Sequence, residues 1–145
     1  MAQLWTVRQQ HKARLKPRMI IPMLVCRDAA AEIDFCKRAF HAVELSRRTG
    51  EDGSVIHATL KIHESLLMVH DVCPHLASQA PSQDGSCPVV NYLYEDEVDS
   101  AIERAVAAGA RVLLPAEDQF WGDRVGRIID PSGHVWNIAS RINGK

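Results

Sequence analysis

No run of apolar residues in this chain approaches the roughly 18–20 that a membrane-spanning helix requires. Charge of one sign is missing too. Seventeen Lys and Arg face 18 Asp and Glu, leaving a net charge of −1, so no global field demands nucleic acid or an anionic surface as partner. The four cysteines, Cys26, Cys36, Cys73 and Cys87, form no Cys-x-x-Cys pair, which removes the spacing of a structural zinc site. There is no Gly-x-Ser-x-Gly nucleophile elbow, no phosphate-binding P-loop and no dinucleotide glycine fingerprint. Glu32, Glu44, Glu95, Glu97, Glu103 and Glu117 fall mostly on expected helix faces or loops, and no carboxylate pair for acid–base work stands out among them.

What is present is an ordinary globular composition, 46% hydrophobic and 24% charged over 145 residues. That length suits one domain, able to bury about two-thirds of its unfolded surface. Residues 1–18 stand apart: Arg8, Lys12, Arg14, Lys16 and Arg18 are unaccompanied by any acid. The segment has neither the apolar core nor the small-residue cleavage site of a signal peptide. It reads as a flexible basic leader, with a nucleic-acid-binding arm as the competing reading. Without an export signal, the cysteines read as reduced thiols of a cytoplasmic protein. Cys26 and Cys36 sit at apolar positions of a strand and a helix.

One pattern then occurs twice. Met19–Cys26 reads as an apolar strand, and Asp28 is placed to cap the helix that follows. Over Ala29–Phe40, Ile33, Cys36 and Phe40 recur at helical spacing, with Glu32, Lys37 and Arg38 expected to face outward. Strands are expected at Ala42–Thr49, Val55–Ile62 and Leu66–Val72. Residues 73–86, with two prolines, a glycine and small polar residues, read as a linker. The order resumes with a strand at Pro88–Tyr94 and a helix at Val98–Ala108. That helix carries Val98, Ala101, Ile102, Ala105 and Val106 on one stripe, with Asp99, Glu103 and Arg104 outward and Gly109 as its exit. Strands at Arg111–Leu114, Arg124–Ile129 and His134–Ser140 follow, the last two joined by the turn Asp130-Pro131-Ser132-Gly133. Two β-α-β-β-β units, 19–72 and 87–142, thus form one α+β domain over 19–142. Neither can bury its sheet alone. Packed together they predict a curved, mostly antiparallel sheet with helices outside and a concave, ligand-sized face within.

The paired units, the helix IDFCKRAF and the hairpin WGDRVGRIIDPSGHVWNIA resemble the vicinal oxygen chelate superfamily, which includes glyoxalase I, extradiol dioxygenases and the fosfomycin and bleomycin resistance proteins. The hairpin is most similar to the PhnB-like branch. The resemblance covers residues 19–142. It implies the glyoxalase/bleomycin resistance fold, a cytoplasmic homodimer and a small-molecule pocket inside each curved sheet.

The metal-dependent members of that superfamily place ligands at four strand positions. Carried onto this chain, those positions fall on Ile21, near Met68, on Val89 or Val90, and on Asn137. Isoleucine and valine cannot ligate a metal, so no metal or other cofactor is expected. His57 and His70, on neighbouring strands, are the two candidate bases if there is catalysis. The resemblance implies that Asn137 points into the cavity and that Trp136 packs against helices. Trp121, in the loop before the hairpin, is a candidate stacking platform. Arg124 is a candidate for holding a carboxylate or phosphate, or for bridging to Asp123 or Asp130. Asn91 and Tyr94 are read as sharing one face of their strand with Tyr92 opposite, and as candidates to orient a ligand together with Met68 and Ile21.

The function these readings favour is a metal-free binding protein of the glyoxalase/bleomycin-resistance type, sequestering an aromatic or amphipathic compound such as an antibiotic. The alternative is a lyase, isomerase or dioxygenase-like enzyme of the same superfamily acting on a small organic substrate. A dimer with a vestigial cavity is the third reading. The fold hosts both binders and enzymes, so it does not decide between them.

Overall fold

The computed structural model of the chain describes residues 18–142. Apart from Arg18, the basic leader lies outside the described residues. The first unit runs β1 (Met23–Cys26), α1 (Ala29–Phe40), β2 (Val43–Thr49), β3 (Val55–Ile62) and β4 (Ser65–Asp71). The second runs β5 (Val90–Tyr94), α2 (Val98–Ala107), β6 (Arg111–Asp118), β7 (Asp123–Ile129) and β8 (Val135–Arg141). Between them the linker contains one 3-10 turn, Pro74–Leu76. Among the described residues, no helix is long and apolar enough to cross a membrane.

The strands form two four-stranded mixed sheets, ordered β1-β4-β3-β2 and β5-β8-β7-β6. In each, the first strand pairs parallel to the last and the other pairs are antiparallel. The repeat is exact in register. Helix starts Ala29 and Val98 are 69 residues apart, as are the pairs Met23↔Met68 and Tyr92↔Asn137. The architecture is the expected α+β pair of modules, although the strand ladders close into two separate sheets rather than running on as one.

Local chemistry sets the element boundaries. The Asp28 carboxylate accepts from Ala31 N–H at 3.0 Å and caps α1. Asp71 accepts from Ala29 N–H at 2.7 Å and Val55 N–H at 2.6 Å, tying the start of the helix to the start of β3. Strand β1 begins at Met23, later than Met19, because Pro22 has no N–H to give the ladder. Strand β6 runs four residues past Leu114 and tolerates Pro115 because it is an edge strand with an irregular register.

The helices cover one face of each sheet and pack on one another. Arg38 donates to Ala107 C=O and Arg104 donates to Ala39 C=O, both at 3.3 Å, so each arginine caps the other helix's C-terminus. One continuous core joins the modules. Phe35 packs edge-on to Phe40, and Phe40 packs at 4.8 Å between ring centroids on Trp136 of β8. The β7–β8 turn is the second seam. Asp130 accepts from Ser132 N–H and His134 N–H at 3.0 Å each and from Trp136 Nε1 at 2.9 Å. His134 Nε2 lies 2.8 Å from Val25 C=O in the other module, so this histidine bonds across the fold rather than within its turn. Gly133 is required here. Its φ is +93°, and a Cβ would sit 2.8 Å from the Ser82 carbonyl oxygen of the linker.

One outward assignment is corrected. Glu32 is fully buried. Helix α1 is covered on two sides, by its own sheet and by the β7–β8 turn, so the stripe read from one sheet is too narrow. Neither Glu32 oxygen has a hydrogen-bond partner, and Asp130 and Ser132 are the polar groups that face it. Burial, and then Asp130, hold its carboxyl well above the usual range.

Candidate functional site

Along β8, side chains alternate between the helix layer and the open face of the second sheet. Trp136 and Ile138 enter the core, leaving Asn137 and Ala139 on the open side. Register brings Arg127 of β7 opposite Asn137, Val125 opposite Ala139, Leu114 of β6 opposite Arg127, and Tyr92 of β5 opposite Asn137. The tight turn after β6, closed by Gln119 N–H to Asp123 C=O at 2.7 Å, swings Trp121 over the same face. The result is a cleft of about 250 Å³ lined by Leu114, Glu117, Trp121, Val125, Arg127 and Asn137, among others.

Its polar groups are arranged. Arg127 Nε donates to Asn137 Oδ1 at 2.8 Å, which fixes the plane of the guanidinium and leaves the amide Nδ2 as the free donor. Trp121, half exposed, donates from Nε1 to the Tyr92 hydroxyl at 3.3 Å. Tyr92 and Tyr94 each donate to Asp123 Oδ2 at 2.7 Å. Asp123 is only 2% exposed, and these two bonds hold its carboxyl below the usual range, Tyr94 contributing most. Desolvation and Asp123 push the Tyr92 hydroxyl up to about 12. Arg141 lies 3.7 Å from Asp123 Oδ1 and stacks 5.2 Å above the Tyr94 ring.

Of the ligand-binding candidates, the structure brings Trp121 and Asn137 together in this cleft. The others lie elsewhere. Arg124 faces the helix side, where Asp99 holds it through two bonds of 3.0 and 3.2 Å and Asp118 through one of 3.2 Å, rather than Asp123 or Asp130. The face assignment on β5 is corrected: Tyr92 and Tyr94 share the open face, and Asn91 pairs with Trp136 on the opposite one. Asn91 lines a separate inter-module hollow of about 420 Å³ with Leu66 and Trp136. Met68 sits on β4 beside Met23 of β1, and Ile21 precedes β1, half-buried.

His57 and His70 lie on the neighbouring strands β3 and β4, each next to a residue of the Ala58↔Val69 pair that ends their registered ladder. His70 is 6% exposed, with Nδ1 2.7 Å from the Asp71 carbonyl oxygen. Among the described residues, no group of three or more His, Cys, Asp or Glu is placed to hold a metal ion. The four positions expected from the resemblance do not fit a divalent ion either. Ile21, Val89 and Val90 are hydrocarbon, Met68 is a thioether, and the Asn137 carbonyl oxygen accepts from Arg127.

Arg127, Glu117, Leu114 and Val125 are lining residues that the sequence reading did not single out. The turn at Asp130–Gly133 was the available signal. It fixes the β7–β8 register, and counting back from it places Arg127 against Asn137.

Comparison with known proteins agrees with this architecture. A model of the Glyoxalase/Bleomycin resistance protein/Dioxygenase superfamily matches residues 18–138. The chain is 44% identical over 124 residues, 83% of its own length and 82% of the relative's, to an uncharacterized protein of Mycobacterium bovis, Mb0911c. Among solved structures it is similar to TioX from Micromonospora sp. ML1, with a TM-score of 0.67 and 26% identity, covering 85% of this chain and 98% of that one. It shares the fold of a PhnB protein from Bacillus cereus, with a TM-score of 0.65 and 19% identity, covering 85% and 99% respectively.

Proposed function

The chain belongs to the Glyoxalase/Bleomycin resistance protein/Dioxygenase superfamily, and from that premise we propose that it is a metal-free protein that binds a small aromatic or amphipathic molecule. One observation carries this reading. The open face of the second sheet forms a cleft in which Trp121, Leu114 and Val125 supply apolar surface and Asn137 and Arg127 supply oriented polar groups. Such a mixture of apolar walls and a few fixed polar groups is the usual make-up of a ligand site. The residues expected at the family's ligand positions, Ile21, Met68, Val89 or Val90, and Asn137, support binding without a metal.

The proposal extends to a homodimer of the PhnB-like type, located in the cytoplasm, with an antibiotic among the classes of ligand to try. Side chains that stay exposed on the open faces, Met23, Tyr92, Tyr94 and Leu114, favour a covering partner copy. A second reading is an enzyme of the same superfamily that uses His57 or His70 as base. The placement of both histidines on adjacent strands, next to the Ala58↔Val69 pair, favours it. The test is a panel of planar antibiotics and small aromatic acids, titrated into the protein while tryptophan fluorescence is followed, with each compound recovered and weighed by mass spectrometry. Saturable quenching that Trp121→Phe removes, with the compound returned unchanged, is the expected result. A changed compound would overturn the binding-only reading, and loss of that turnover in His57→Ala would establish the enzyme.

A further inference from the structure

We infer that the cleft is selective for a monoanion, a one- or two-ring aromatic carboxylate whose charged end is held by Arg127. The inference rests on the binding reading above and names the class of ligand for that site. Four features converge on it. Arg127 spends its Nε on Asn137, and that 2.8 Å bond aims the remaining edge, Nη1 and Nη2, along a fixed plane. Among the described residues the guanidinium makes no ion pair, in contrast to Arg124, which two aspartates occupy. An arginine edge with two parallel N–H donors matches the two oxygens of a carboxylate, and the Asn137 Nδ2 group beside it is a third donor.

The rest of the lining sets the other end of the ligand. Leu114 lies directly across from Arg127, and Val125 precedes it by two residues on the same strand face. Trp121 closes the wall, its indole held by the Tyr92 hydroxyl. Among the described residues, Glu117 is the one acidic residue of the lining and Arg127 the one basic residue. A dianion such as a phosphate monoester would meet a single cation and a repelling carboxylate, so a single negative charge is the better match. A volume of about 250 Å³ is small for a ligand pocket, where about 300–1,000 Å³ is usual, which sets the limit at one or two rings.

The test is isothermal titration of the full chain with three probes of one shape: 2-naphthoate, 2-naphthamide and 2-naphthyl phosphate. A charge-assisted pair at this site predicts that naphthoate binds at least about tenfold more tightly than the neutral amide. Arg127→Met keeps the apolar stem and is expected to reduce that ratio to near one while leaving the affinity for naphthamide intact. Arg124→Gln, which alters an arginine outside the cleft, is expected to leave the ratio unchanged. Equal binding of naphthoate and naphthamide by the native protein would overturn the anion selectivity and leave the binding function standing. Tighter binding of the phosphate than of naphthoate would overturn the monoanion assignment. Failure of all three to bind would overturn both the inference and the reading beneath it.

Discussion

Replacing Glu32 with glutamine tests the buried seam between the modules. Cys26 of β1 and Cys36 of α1 surround the carboxyl, and Asp130 and Ser132 of the β7–β8 turn face it. It is fully buried with no hydrogen-bond partner for either oxygen. Burial first, and Asp130 second, raise its pKa well above the ordinary 4.5. The sign follows from linkage. Between the unfolded and folded pKa values the folded state holds a proton that the unfolded state has released. Stability therefore falls as pH rises, by about 1.4 kcal/mol per pH unit.

Each pH unit inside that window is a large share of the roughly 5–15 kcal/mol that holds a domain together. Glutamine has nearly the same volume, places an uncharged amide opposite Asp130, and does not titrate. The Glu32→Gln variant is expected to match the native protein near the ordinary carboxyl pKa and to become progressively more stable relative to it as pH rises from there. The assay is urea unfolding of both proteins at pH 5, 6, 7 and 8. Titrations of groups remote from Glu32 cancel in the difference. Two parallel stability curves would refute the reasoning, because Glu32 would then ionise as easily in the fold as out of it.

Three further outcomes follow from particular contacts. A methyl group at Gly126 would sit 2.5 Å from Ile102 Cδ1 and 3.1 Å from the Ala116 backbone nitrogen. Gly126→Ala should therefore cost about 1–3 kcal/mol in unfolding experiments, and an unchanged midpoint would show that β6 yields freely. Cys26 and Cys36 are buried, with thiols pushed far above their ordinary range by desolvation, whereas Cys73 and Cys87 are half-exposed. A thiol reagent should modify Cys73 and Cys87 promptly in the native protein and reach Cys26 and Cys36 only on unfolding; rapid labelling of Cys26 or Cys36 would contradict the packing. Tyr94→Phe removes the largest cause of the depressed Asp123 pKa. The Asp123 titration, followed by carbon NMR, should then move up toward ordinary carboxylate values, and no movement would refute the assignment of that bond.

The sequence carried local information well. Helix α1 spans Ala29–Phe40 as its spacing predicts, because Asp28 caps it and its apolar stripe is continuous. The turn Asp130–Gly133 was visible because proline, serine and glycine each fit a turn for a separate reason. The repeat was visible because each unit had to present the same apolar faces to the same neighbours.

The site was less visible. On a strand, a shift of one residue moves a side chain to the other face. That is why Arg124 and Arg127, three residues apart on β7, point to different chemistry, one toward Asp99 on α2 and the other toward Asn137. The same parity puts Tyr92 with Tyr94 rather than opposite it.

Acting by itself, the chain's amino-acid order determined the two modules, their helices and the position of the connecting linker. Each of these depends on residues within a few turns of one another. Only the tertiary structure decided that Glu32 is buried, that His134 reaches Val25 and that Trp121, Arg127 and Asn137 share a cleft. Those outcomes depend on partners brought together by sheet register and by the packing of one module on the other. No periodicity within a single element specifies that distance.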